Sequence, residues 1–151
     1  MCQIELSVSR IEQAAAQVLG CEPEELTKER YDHYGLSVFS GCGQEVAIGT
    51  DEEADKAAAE YIKDSVWSIR PEYIASHTKR GASNGIIKAI KALQEACEDC
   101  NDGILCLIED IDKFIEDAVS ADSRGTFLSP CDSNEIEINI NDLTFYAYRL
   151  N

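Results

Sequence analysis

The chain of 151 residues carries 29 Asp and Glu against 13 Lys and Arg, a net charge of -16, with 44% hydrophobic residues. That apolar share fills the core of one domain and excludes wholesale disorder, while the charge disfavours direct contact with nucleic acid or an anionic lipid surface. Seven cysteines, an odd number with neither a secretory segment before them nor an apolar run of membrane-spanning length, point to a soluble protein of a reducing cytoplasm with free thiols.

Ser9 and Glu12 have the spacing of a capping box, which predicts a helix to about Leu19, closed by Gly20. Pro23 at a first helical turn, followed by Glu24 and Glu25 near the positive helix end, predicts a second short helix to about Tyr31. Residues 36–40 and 45–48 are β-branched and aromatic around Gly41-Cys42-Gly43-Gln44 and read as a hairpin. Thr50 and Glu53 repeat the capping spacing and open a helix to about Ser68, with Ala54, Ala57, Ala58, Tyr61, Ile62, Ser65 and Val66 near one face. Pro71 interrupts it, leaving a short helical turn over residues 72–76.

Lys79-Arg80-Gly81-Ala82-Ser83-Asn84-Gly85 reads as an exposed basic loop. Two helices follow, over residues 86–97 and 104–119. In the second, Ile104, Leu107, Ile108, Ile111, Phe114, Ile115 and Ala118 form an apolar stripe, and the carboxylates point elsewhere. Residues 135–140 and 143–150 flank Asn141-Asp142 as a C-terminal hairpin whose Ile136, Ile138 and Ile140 alternate with polar residues. The expected architecture is α+β, a small antiparallel sheet from two hairpins with four or five helices packed on one face, in a single domain over residues 1–151.

Three stretches carry a resemblance. They are Tyr31-Asp32-His33-Tyr34-Gly35-Leu36, then Val46-Ala47-Ile48-Gly49-Thr50-Asp51-Glu52-Glu53-Ala54-Asp55, and the ending from Asp122-Ser123-Arg124-Gly125 through Tyr146-Ala147-Tyr148-Arg149-Leu150-Asn151. Together they resemble small acidic proteins of tailed bacteriophages over most of the chain. The resemblance implies a viral setting in a bacterial cytoplasm, and it brings no reaction, cofactor or catalytic residue. Where the similar proteins have an aromatic-Asp-Gly run, this chain has Pro130-Cys131-Asp132-Ser133.

Metal chemistry would centre on Cys97-Glu98-Asp99-Cys100 with Cys106 and Cys131. One Cys-x-x-Cys without a second pair, beside carboxylates that raise the cost of forming thiolates, predicts free cysteines and no metal. His33, between Tyr31 and Tyr34, reads as a packing residue, and His77, beside Ser76 and Thr78, lies in no nucleophile motif. Asp32, Asp122 and Arg124 near Tyr34 read as a fold-stabilising ion pair. Gly81 to Gly85 lacks the spacing of a phosphate-binding loop and follows no expected strand. Trp67, Tyr61 and Tyr73 read most simply as core. No cofactor is expected.

Between Glu95 and Asp122 stand ten acids and one base, Lys113. A net charge this large repels itself, so it serves either solubility or a basic partner. The reading taken forward is a non-enzymatic DNA-mimic-like protein that inhibits a basic, nucleic-acid-binding host protein. Glu98, Asp99, Asp102, Glu109, Asp110, Asp112, Glu116 and Asp117 would present carboxylates where phosphates otherwise sit. The alternative is a small structural or regulatory phage protein that binds its partner through an apolar patch, with incidental acidity. Oligomeric state is left open.

Overall fold

Three two-residue turns set the sheet. Tyr34-Gly35 (φ 54° and 96°), Cys42-Gly43 (54° and 78°) and Asn141-Asp142 (48° and 73°) all hold positive φ at both positions. That backbone makes the tight turn whose twist matches its flanking strands. The turns join β1 (Thr27–His33) to β2 (Leu36–Gly41), β2 to β3 (Gln44–Gly49), and β4 (Ile136–Ile140) to β5 (Leu143–Arg149). The antiparallel pairing of β3 with β5 completes a five-stranded sheet of order β1-β2-β3-β5-β4. In this computed structural model, which describes residues 9–151, the fold is α+β, and the described chain divides into two units, residues 9–58 with 122–151 and residues 59–121.

In the first unit, α1 (Arg10–Leu19) starts where Ser9 Oγ accepts the Glu12 N–H at 3.2 Å, and it stops at Gly20, φ 71°. Its Ala14, Ala15 and Leu19 pack on Phe39, Val46, Ile48, Ile138, Phe145 and Ala147. Because side chains alternate along a strand, Val38, Ala47 and Tyr148 lie on the opposite face, and all three have no exposed surface. Both faces are therefore covered, where one was expected. The expected helix after Pro23 is corrected: only a single 3-10 turn, Pro23–Glu25, forms before β1 begins. β1 is an edge strand, wet over most of its length, so it has no apolar alternation to read, and its Lys28, Glu29 and Arg30 suit an edge that must avoid pairing with other chains.

The second unit is helical. α2 (Asp51–Asp64) ends in it and is followed by a 3-10 turn, Val66–Ser68, then α3 (Pro71–Ser76), α4 (Asn84–Gln94), a 3-10 turn Cys97–Cys100, α5 (Asn101–Leu107) and α6 (Ile111–Asp122). Two side chains satisfy the backbone where α2 stops. Asn101 accepts the Trp67 N–H at 2.9 Å and donates to the Asp64 carbonyl, and Gln94 donates to the Ile69 carbonyl at 2.6 Å.

The single helix expected over residues 104–119 is two helices. Ile108 leaves the helix to bridge Thr78, with the Glu109 N–H on the His77 carbonyl at 2.9 Å. Asp110 then caps α6, its carboxylate accepting the Lys113 N–H at 3.1 Å. The break resets the helical phase. Ile104, Ile108, Phe114 and Ala118 are buried, whereas Leu107 is 43% exposed.

Phe114→Ala is accordingly expected to cost about 3–5 kcal/mol, and Leu107→Ala less than about 1 kcal/mol. Urea denaturation of the two variants reads the difference, and equal losses would restore the unbroken stripe.

Candidate functional site

The expected partner-binding acids are spread over four pieces of backbone. Glu98 and Asp99 lie on the 3-10 turn before α5, Asp102 on its first turn, Glu109 and Asp110 in the break, and Asp112 and Glu116 one turn apart on α6. All seven are exposed, and none makes an ion pair among the described residues. The helix expected over residues 104–119 would have carried Glu109, Asp110, Asp112, Glu116 and Asp117 together; of these only Asp112, Glu116 and Asp117 share a helix.

Asp117 is the exception. Its carboxylate lies 3.0 Å from His77 Nε2 and 3.2 Å from Lys113 Nζ, and these contacts, His77 first, hold its pKa below the usual carboxylate value. The hydrogen bonds favour the ionised form. This acid is committed inside its own chain.

His77 organises the aromatic end of the second unit, its ring 4.8 Å from Tyr73 and 5.2 Å from Phe114. The Tyr73 hydroxyl donates to the Phe114 carbonyl at 2.7 Å. A cleft of about 190 Å3 opens beside it, bordered by Ser76, His77, Glu109, Asp110 and Lys113. Ser76, His77 and Asp117 stand in the order of a hydrolytic triad. Yet the Ser76 hydroxyl donates to the Tyr73 carbonyl at 2.6 Å, and His77 Nδ1 faces that same carbonyl at 3.2 Å. Ser76 Oγ also lies 3.1 Å from His77 Nδ1, so the hydroxyl and the imidazole both crowd the Tyr73 carbonyl.

A second cavity, about 200 Å3 and almost wholly apolar, lies between α4 and α5, with Ile86, Ala89, Ile90 and Leu107 as its walls and Lys79 and Arg80 beside it. Sequence reasoning missed it because Leu107 belonged to the expected buried stripe.

In the first unit the polar cluster expected around Asp32, Asp122 and Arg124 is corrected. Arg124 pairs with Asp51 (2.7 Å), Asp55 (3.0 Å) and Glu135 (2.7 Å), and its guanidinium lies 4.7 Å from the centre of the Tyr146 ring. Tyr148 donates its hydroxyl to Glu135. Burial works against the Arg124 charge, but the bonds to Glu135 and Asp51 outweigh it and raise its pKa. Spacing along the chain does not reveal this cluster, since its members come from four separate segments.

Of the candidate metal cysteines, Cys97, Cys106 and Cys131 are exposed and Cys100 is buried, with burial raising its thiol pKa. Among the described residues no three His, Cys, Asp or Glu side chains gather as a metal site needs, and no helix is long and apolar enough to cross a membrane. No protein-family model, curated protein or solved structure matches this chain.

His33 gives a pH test. Its Nε2 lies 2.9 Å from the Leu128 carbonyl, and burial holds its pKa below the ordinary 6.5 against the opposing pull of that bond and of Asp32. Above pH 6.5 native and unfolded chains are both neutral here, so the contribution to stability is fully present. As pH falls from 6.5 towards the folded pKa the unfolded chain alone takes up the proton, and stability is lost. Asp117 acts in a separate, more acidic window, its contribution being lost as pH falls from the ordinary carboxylate value of 3.8 towards its lowered folded pKa. Denaturation at pH 7.5 and 5.5 is expected to show the fall in the parent and a smaller one in His33→Gln; an unchanged pH slope in the variant would remove His33 as the cause.

Proposed function

We propose that this chain is a non-enzymatic binding protein that inhibits a basic, nucleic-acid-binding protein by covering the Lys and Arg surface with which it grips phosphates. The observation that carries the reading is that seven carboxylates between Glu98 and Glu116 are exposed and, among the described residues, free of ion pairs, with Lys113 the sole base among them. Self-repulsion of such a set costs the isolated fold free energy, and a cationic partner relieves it. Resemblance of residues 31–36, 46–55 and much of 122–151 to acidic proteins of tailed phages supplies the setting, the cytoplasm of an infected bacterium with a host defence or transcription protein as target. Electrostatic pairing then speeds encounter and selects cationic partners, while affinity rests on the contacts made after docking.

Affinity capture from host lysate with the parent and with Asp112→Lys/Glu116→Lys identifies the partner. The captured complex is expected to weaken steeply between about 50 and 200 mM salt and the double variant to bind more slowly, as loss of charge steering requires. A flat salt response with unchanged on-rate would overturn the reading, as would capture of partners with no basic surface.

A further inference from the structure

From Tyr73 to Gln94 the chain has four bases, Lys79, Arg80, Lys88 and Lys91, and no acid, a positive island in a protein of net charge -16. The apolar cavity between α4 and α5 lies on this island. Ile86, Ala89 and Ile90 recur at helical spacing along α4, Leu107 of α5 faces them across the cavity, and Leu93, 39% exposed, continues the same stripe for another turn. Lys79 and Arg80 border the opening, exposed and without ion pairs among the described residues. Lys88 and Lys91 stand on the other flanks of α4. The first turn of α4 carries no acid, so the positive end of its dipole adds to the same field.

We infer that this groove docks an acidic peptide segment of a partner protein, which anchors one large apolar side chain between α4 and α5 while its carboxylates pair with Lys79 and Arg80. Size supports one anchor: a cavity of about 150 Å3 holds benzene, so about 200 Å3 takes a Phe or Leu side chain but not a long acyl chain. Charge complementarity selects an anionic partner. No aromatic side chain lines the groove for bases to stack on, so a nucleic-acid strand fits poorly. A second copy of this chain would bring another -16 of charge with it. This surface is opposite in sign to the one proposed above and stands independently of it.

The probe is a fluorescein-labelled dodecapeptide of Asp and Glu with a single central Phe, measured by fluorescence anisotropy against the full chain. Lys79→Glu/Arg80→Glu reverses the rim and Ala89→Trp fills the cavity. All three positions are exposed, and circular dichroism checks the fold. Expected are at least tenfold weaker binding when the peptide Phe is replaced by Ser, and likewise for each variant. A Lys-rich version of the peptide should bind the rim-reversed variant better than it binds the parent groove. Should Ala89→Trp fail to fold, the rim variant alone decides. Peptide binding that changes less than twofold across these substitutions would overturn the proposal. So would tighter binding of a labelled oligothymidylate by the same groove, or a dimer in light scattering that Ala89→Trp dissociates. Capture of the basic partner by the acidic residues would survive any of these failures.

Discussion

Arg124 is the cation on which the first unit closes. It joins two carboxylates at the start of α2 to Glu135 ahead of β4, and it stands over Tyr146 of β5. The α2 acids lie about seventy residues from Arg124 along the chain, and one planar, permanently charged donor fork brings them to Glu135 and Tyr146. Its neighbour shows how little space remains. A Cβ on Gly125 would come within 2.5 Å of the Ser133 carbonyl oxygen and 2.9 Å of the Glu135 nitrogen, so any side chain there pushes away the segment that carries the carboxylate. On the same face a Cβ on Gly49 would meet Leu36 at 2.6 Å and Glu53 at 3.0 Å. Glycine at these two positions lets the covering segments approach the sheet closely enough for Arg124 to reach its partners.

The acids of these clusters and those of the acidic run differ in what holds them. Asp51, Asp55 and Glu135 surround one guanidinium, and Asp117 is shared by His77 and Lys113. Those belong to the fold. Glu98, Asp99, Asp102, Glu109, Asp112 and Glu116 serve no such contact, and Asp110 does no more than cap α6. An acid already paired inside the chain must break that pair before it can meet another cation, so within the acidic run the unpaired residues are the ones open to the proposed partner.

The second unit carries both signs in adjoining stretches of sequence, a positive apolar groove over residues 73–94 and then an acidic run to Asp122. A protein built to be merely soluble has no need of the separation. As proposed, the two surfaces take partners of opposite charge and differ in mechanism: long-range attraction would govern the acidic one, whereas the groove would rely on short-range burial of a single side chain.

The residues near each turn were enough to predict α1, the β2–β3 and β4–β5 hairpins and the α+β class, because Ser9, Gly20, Cys42-Gly43 and Asn141-Asp142 act within a few residues of themselves. The predominance of exposed acids was likewise readable, since charge resists burial wherever it occurs. Tertiary structure decided the rest. β1 has no pattern because its wet faces impose none. The helix over residues 104–119 divides because Ile108 finds Thr78 thirty residues earlier, and that contact is what turns Leu107 outward and opens the groove. Asp51 and Asp55 lie about seventy residues from Arg124 and His77 forty from Asp117, so only the folded chain could choose which acids are held and which are left free.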